Sequence, residues 1–173
     1  MSVLAHSTIV GSTVWQTEAD TRAFAGKLAS ALLGLTEPGH ALITLHGDLG
    51  AGKTTLVRHL LHALGVRGRI KSPTYGLVES YEAEIESVRL PIWHMDFYRF
   101  GDPAEWEHAG LRDIFASRGL KLVEWPERAA DRLPLPDLSL RITSAGHSHH
   151  EDSRQVQMEG CGPSGRSLIE ALG

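Results

Sequence analysis

The stretch His46–Thr55, HGDLGAGKTT, constrains the fold of this chain more than any other feature. Gly47, Gly52, Lys53 and Thr54 fit the spacing G-x-x-x-x-G-K-[ST], and the apolar run ALITLH stands directly before the loop. Glycines let the backbone curl until successive N–H groups face one point, and a helix leaving the loop adds its positive N-terminal end. The motif therefore requires a buried strand before it and a helix after it. The phosphate-facing amides are expected from Asp48, Leu49, Gly50, Ala51, Gly52, Lys53 and Thr54, with Thr55 closing the loop. Lys53 would reach the β- and γ-phosphates of a nucleotide, and the Thr54 hydroxyl would ligate Mg²⁺.

The remainder of the chain supplies the elements such a loop needs. Thr17 and Asp20 have capping-box spacing, and Phe24, Leu28, Leu32 and Leu35 recur at helical intervals, so a helix is expected over 18–34. Ala41–His46 reads as a buried strand, and Thr54–Leu64 as a helix stopped by Gly65. YGLVESY and VRLPIWHMD read as closely spaced, antiparallel strands, with Pro91 placing the first half of the second at an edge or bulge. Residues 103–117 suggest two short helices split near Gly110, LKLVEW a central strand, and PERAADRL a helix begun by proline. DLSLRIT and RQVQMEG pattern as a hairpin, taken as an edge hairpin over 138–160, and residues 164–172 as a final helix. The reading is a single domain over 1–173, with a flexible start over 1–12: an α/β P-loop NTPase whose mixed, mainly parallel central sheet is flanked by helices.

A P-loop needs a second anchor for the metal, usually an acid at the end of a neighbouring strand. Asp96, after LPIWHM, fits that position. Glu124, carried by LKLV toward the same crevice, could bind the metal through water or orient an attacking water. Lys53, Asp96 and Glu124 are thus the candidate catalytic residues, and Thr54, Asp96 and Glu124 the candidate metal ligands. Thr74, in KSPTY, could reach Mg²⁺ or the γ-phosphate as switch threonines do, although taken alone the stretch is better read as a plain Ser72–Pro73 turn.

Several classes can be tested by what is missing. None of the four lysines, Lys27, Lys53, Lys71 and Lys121, has an Asp two residues on, so the guanine-reading N-K-x-D is absent, as is the L-S-G-G of transporter ATPases. Arg67, Arg69, Arg99 and Arg112 could form the lid of a small-metabolite kinase, so that class survives. With 17 Lys and Arg against 21 Asp and Glu, a net charge of −4 argues against stand-alone nucleic-acid binding. One cysteine, no basic residue before Arg22 and no membrane-length apolar run make the cytoplasm the expected compartment. His147, His149 and His150 in GHSHHEDS could hold a metal, but the polar, Gly- and Ser-containing setting favours a solvated turn.

Four segments taken in order, GDLGAGKTTLVRHLLHALG, KSPTYGLVESYE, HMDFYRFGDPAEWEHAGLRD and LVEWPER, resemble the bacterial TsaE (YjeE) family. The resemblance runs from about residue 17 to 140. It implies a small Mg²⁺-dependent ATPase required for threonylcarbamoylation of adenosine 37 in tRNA. Such proteins act with TsaB and TsaD, and meet tRNA indirectly through that complex, with no DNA or membrane involved. TsaD transfers the threonylcarbamoyl group, and ATP hydrolysis is expected to reset the complex between cycles. Residue by residue, the resemblance implies ATP held at Gly47–Thr55, a metal-binding acid at Asp96, a glutamate near the metal at Glu124 and Trp125 beside the nucleotide. Thr74 falls in a switch-like loop, and the segment around Thr17–Thr21, including Glu18, borders the adenine. From about Thr143 the chain departs most from the family.

Overall fold

The computed structural model describes residues 8–73, 76–145 and 153–173. In chain order the elements are β1 Ile9–Trp15, α1 Glu18–Leu33, β2 Ala41–His46, α2 Lys53–Ala63, β3 Val78–Ile85, β4 Val88–Asp96, α3 Pro103–His108 and α4 Leu111–Ala116. They continue with β5 Leu120–Glu124, a 3-10 segment Pro126–Arg132, β6 Leu138–Ser144, β7 Arg154–Gly160 and α5 Gly162–Leu172. The seven strands form one sheet in the order β1-β7-β6-β2-β5-β4-β3. β6, β2, β5 and β4 run parallel, with antiparallel strands on both flanks. This is the mixed α/β sheet expected of a P-loop NTPase, its parallel pairing concentrated in the centre.

Side-chain alternation sends the two faces of the sheet into separate apolar layers. Ala41, Ile43, Leu45, Leu90, Ile92, Leu120 and Leu122 pack in the layer that also holds buried residues of α1, α2 and α5. Leu42, Met95 and Val123 pack on the other face with Phe97, Trp106 and Leu111. The capping box at α1 is formed: the Thr17 hydroxyl accepts from the Asp20 N–H, and the Asp20 carboxylate accepts from the Thr17 N–H. Pro91 pairs with β3 through Glu82, and the parallel register with β5 starts one residue later at Ile92↔Leu120. The residue lacking an N–H thus sits where no bond to β5 is required.

Several expectations are corrected. Ile9–Ser12 are not part of a flexible start but lie in β1, paired from Ile9↔Gly160 to Trp15↔Arg154. Its alternation was faint because Val10, Ser12 and Val14 are exposed while Ile9, Gly11 and Thr13 are half-buried. The 138–160 hairpin consequently lies inside the sheet, because β1 covers β7 and β6 pairs in parallel with β2. Gly76 and Leu77 lie ahead of β3, which begins at Val78 and runs on to Ile85. PERAADRL winds as a 3-10 segment kinked at Ala129. No described helix is long and apolar enough to cross a membrane.

Candidate nucleotide site

The polar residues of the site are continuations of apolar rows. On one face of β4 the sequence of side chains is Leu90, Ile92, His94, Asp96, and on the same face of β5 it is Leu120, Leu122, Glu124. The first members of each row pack into the core, and the last fall at the carboxyl ends of the strands, where α2 begins. The register sets Asp96 directly opposite Glu124. Open α/β sheets bind ligands at this end of their strands.

The loop between β2 and α2 has the backbone its glycines allow. Gly47 has φ 146°, and a Cβ there would collide with the carbonyl oxygen of Ile142 on β6. Gly52, at φ 105°, caps α2 without a side-chain hydrogen bond, leaving the first amides of the helix available to an anion. Lys53 is buried, donates to the carbonyls of Gly47 and, at 2.9 Å, of Asp48, and lies 4.2 Å from the centre of the Trp125 ring. Burial pulls its pKa below the ordinary lysine value, opposed by the charges of Glu124, Asp96, Glu127 and Asp48. A triphosphate would offer this ammonium better acceptors than two neutral carbonyls.

Thr54 Oγ1 lies 2.9 and 3.0 Å from the two oxygens of Glu124, whose Oε1 is also 2.7 Å from His94 Nε2. Asp96 Oδ1 accepts from the Tyr98 N–H at 2.9 Å. Burial raises the Asp96 pKa above 3.8 and the Glu124 charge adds to the rise, while the Tyr98 N–H, His94 and Lys53 act in the other direction. Trp125 takes a left-handed backbone, φ 56°, which turns the chain sharply out of β5 and brings its ring 4.9 Å from that of Tyr98.

These groups line a cleft of about 530 Å³ that includes Leu49, Gly50, Gly52, Lys53, Thr54, Thr55, Asp96, Glu124 and Trp125. A second recess of about 240 Å³ shares Gly50, Gly52 and Thr55, adds Ala51, and is closed by Trp15, Thr17, Glu18, Thr21 and Arg154. Glu18 sits there at the start of α1, 2.9 Å from His59. The candidate residues among those described are therefore together around one loop. Thr74 and the run His147–His150 lie outside the described residues.

Sequence reasoning missed His94, Tyr98 and Arg154. The first two lay within the HMDFYR segment, and their spacing from Asp96 was the available signal. Arg154, on β7, donates from Nε to the Ala51 carbonyl at 3.1 Å and so ties the loop to a strand about 100 residues later; nothing local in the sequence marks it. Of the four arginines considered for a lid, Arg99 lines the cleft, whereas Arg112 is exposed and pairs with Glu107 at 2.9 Å.

Comparison with known proteins decides the family. The model for "Threonylcarbamoyl adenosine biosynthesis protein TsaE" matches residues 15–156. The chain belongs to the TsaE family. It is 38% identical to the tRNA threonylcarbamoyladenosine biosynthesis protein TsaE of Haemophilus influenzae, over 86% of this chain and 89% of that one. It is 37% identical to the TsaE of Bacillus subtilis, over 88% and 87% of the two chains. The crystal structure of Bacillus subtilis YdiB superposes with a TM-score of 0.72 at 32% identity, covering 97% of both chains. The protein is thus a TsaE-family member with a role in tRNA threonylcarbamoyladenosine biosynthesis.

The donor set suits magnesium. Thr54, Asp96 and Glu124 offer hard oxygen atoms, the choice of that ion over softer metals. No cluster of three or more His, Cys, Asp or Glu is arranged to hold a metal among the described residues.

Proposed function

We propose that this TsaE-family protein is a Mg²⁺-dependent ATPase that acts in the cytoplasm with TsaB and TsaD, its hydrolysis driving the tRNA threonylcarbamoylation cycle. The observation that carries the reading is the convergence of Lys53, Thr54, Asp96 and Glu124 on the mouth of a glycine-rich loop. When bound, Mg²⁺ would neutralise the triphosphate and polarise the γ-phosphorus toward attack. The chain's own part is to bind and orient. The amides of Gly50–Thr54 and the Lys53 ammonium hold the phosphates, and Thr54 and Asp96 hold the metal. Glu124, fixed by its bonds to Thr54 and His94, orients the attacking water or an outer metal-bound water. The recess between Thr17, Glu18 and Arg154 takes the nucleoside end.

Transfer of the threonylcarbamoyl group is left to TsaD. The chain's net charge of −4 fits indirect contact with tRNA. The alternative, a small-metabolite kinase, is weakened because Arg112, counted toward its lid, pairs with Glu107 and does not line the cleft.

The test is phosphate release from Mg-ATP by the purified protein, with and without TsaB–TsaD. Slow turnover alone, a clear rise with the pair, and loss of both in Lys53→Ala are expected. Absence of any rise, with the pair shown active beside another TsaE, would refute the proposal; a phosphorylated small-molecule product would favour the kinase.

A further inference from the structure

The HMDFYR segment contains one buried polar residue that the proposed chemistry does not itself require. His94 is fully buried on β4, two residues before Asp96 and on the same face. Its Nε2 lies 2.7 Å from Glu124 Oε1, and its Nδ1 has no hydrogen-bond partner among the described residues. Were the position needed only to fill the core, an apolar side chain would fill it without stranding a buried nitrogen. A carboxylate oxygen facing a ring nitrogen can only accept, so Nε2–H is the donor in this pair.

Glu124 needs that donor. The Thr54 hydroxyl has a single proton and stands nearly equidistant from the two carboxylate oxygens, at 2.9 and 3.0 Å. It can satisfy one oxygen at a time and does not by itself choose between them. His94 breaks the tie by anchoring Oε1 and leaving Oε2, 3.0 Å from Thr54 Oγ1, outside that bond in a residue that lines the cleft with Asp96 and Lys53.

We propose that His94 is a positioning residue for nucleotide hydrolysis: through Nε2 it locks one oxygen of Glu124, so that the other is presented to the metal or to the attacking water. The role rests on the ATPase reading above and concerns geometry, not a change in charge. Groups that orient a metal-site ligand characteristically change metal affinity or turnover by about 10- to 100-fold when removed. His94→Leu keeps approximate bulk and removes the donor. His94→Gln places an amide N–H near the former Nε2 and should restore the bond.

The experiment measures ATP binding by calorimetry, with EDTA and across a Mg²⁺ series, and TsaB–TsaD-stimulated phosphate release, for the parent and both variants. H94L is expected to bind ATP in EDTA as the parent does and to need roughly tenfold more Mg²⁺ for the same gain in affinity. Its kcat should fall about tenfold or more with KM little changed, and H94Q should recover most of both losses. Parental Mg²⁺ dependence and turnover in H94L would overturn the proposal, as would H94Q failing as badly as H94L while still folded. Should H94L not fold, His94→Asn, which keeps an amide but stops short of Glu124, takes its place with the same expectations. A parent protein that neither binds nor hydrolyses Mg-ATP would instead sink the ATPase reading, and this role with it.

Discussion

Replacing Thr54 by Val exchanges one hydroxyl for a methyl of nearly the same size, and thereby isolates the bond between the loop and Glu124. In the structure the Thr54 hydroxyl reaches both carboxylate oxygens, at 2.9 and 3.0 Å, and Glu124 is buried. A hydrogen bond to a charged group contributes about 1.5–3 kcal/mol net. Thr54 is only half-buried, so the lower part of that range applies, about 1.5–2 kcal/mol. In a chain of this size 1 kcal/mol moves Tm by about 2–4 °C, so Thr54→Val should melt roughly 3–8 °C below the parent. The melt is followed by circular dichroism in EDTA without nucleotide, so that only the protein's own bonds are read. Thr54→Ser keeps the hydroxyl and should stay close to the parent. With Mg-ATP present the gap should widen, because the valine also lacks the oxygen proposed to bind the metal. A Thr54→Val melt within about 1 °C of the parent, or a Thr54→Ser loss as large, would show that this bond does not stabilise the loop.

Asp96 carries a prediction whose sign comes from its raised pKa. Burial and the neighbouring Glu124 favour its protonated form in the fold, so its contribution is fully present below the unfolded value of 3.8 and is lost as pH rises through the folded pKa. Asp96→Asn should therefore raise Tm at pH 7, with the gain shrinking as pH falls toward 4, while partner-stimulated turnover drops about 100-fold, the scale of one preorganised electrostatic group; a lower Tm at pH 7 would contradict it. Gly47→Ala combines a positive φ with a collision against the Ile142 backbone and should cost about 2–4 kcal/mol in urea unfolding. Gly50→Ala, with φ 80° and open space around it, should cost only about 1–2 kcal/mol in the same assay. Arg154→Ala loses the tether to Ala51 and should weaken ATP binding roughly fivefold by calorimetry, corresponding to about 1 kcal/mol, with saturated turnover little changed.

The local elements around the loop were legible because their signals are short-range. A strand entering a glycine-rich loop, a hydroxyl and carboxylate at capping spacing, and a proline before a parallel register each act within a few residues, and β2, α1 and β4 lie where those signals put them. Asp96 and Glu124 could be named as strand-end acids from the residues before them. Their placement opposite one another depended on β4 and β5 being neighbours in one register, a pairing between segments nearly 30 residues apart. β1 escaped notice because an edge strand with alternate residues half-exposed has little apolar contrast, and it becomes a strand through the hydrogen bonds offered by β7. The same holds for the two residues that brace the site. His94 looks like any polar residue in a strand until Glu124 is beside it, and Arg154 is remote from the loop until β7 lies alongside. That a glycine-rich loop would join a strand to a helix at residues 47–52 could be read from the chain alone, because backbone torsions and helix capping are local. Which side chains hold that loop and its glutamate in place was decided by the tertiary structure, because hydrogen bonds across a sheet join residues whose separation along the chain carries no pattern.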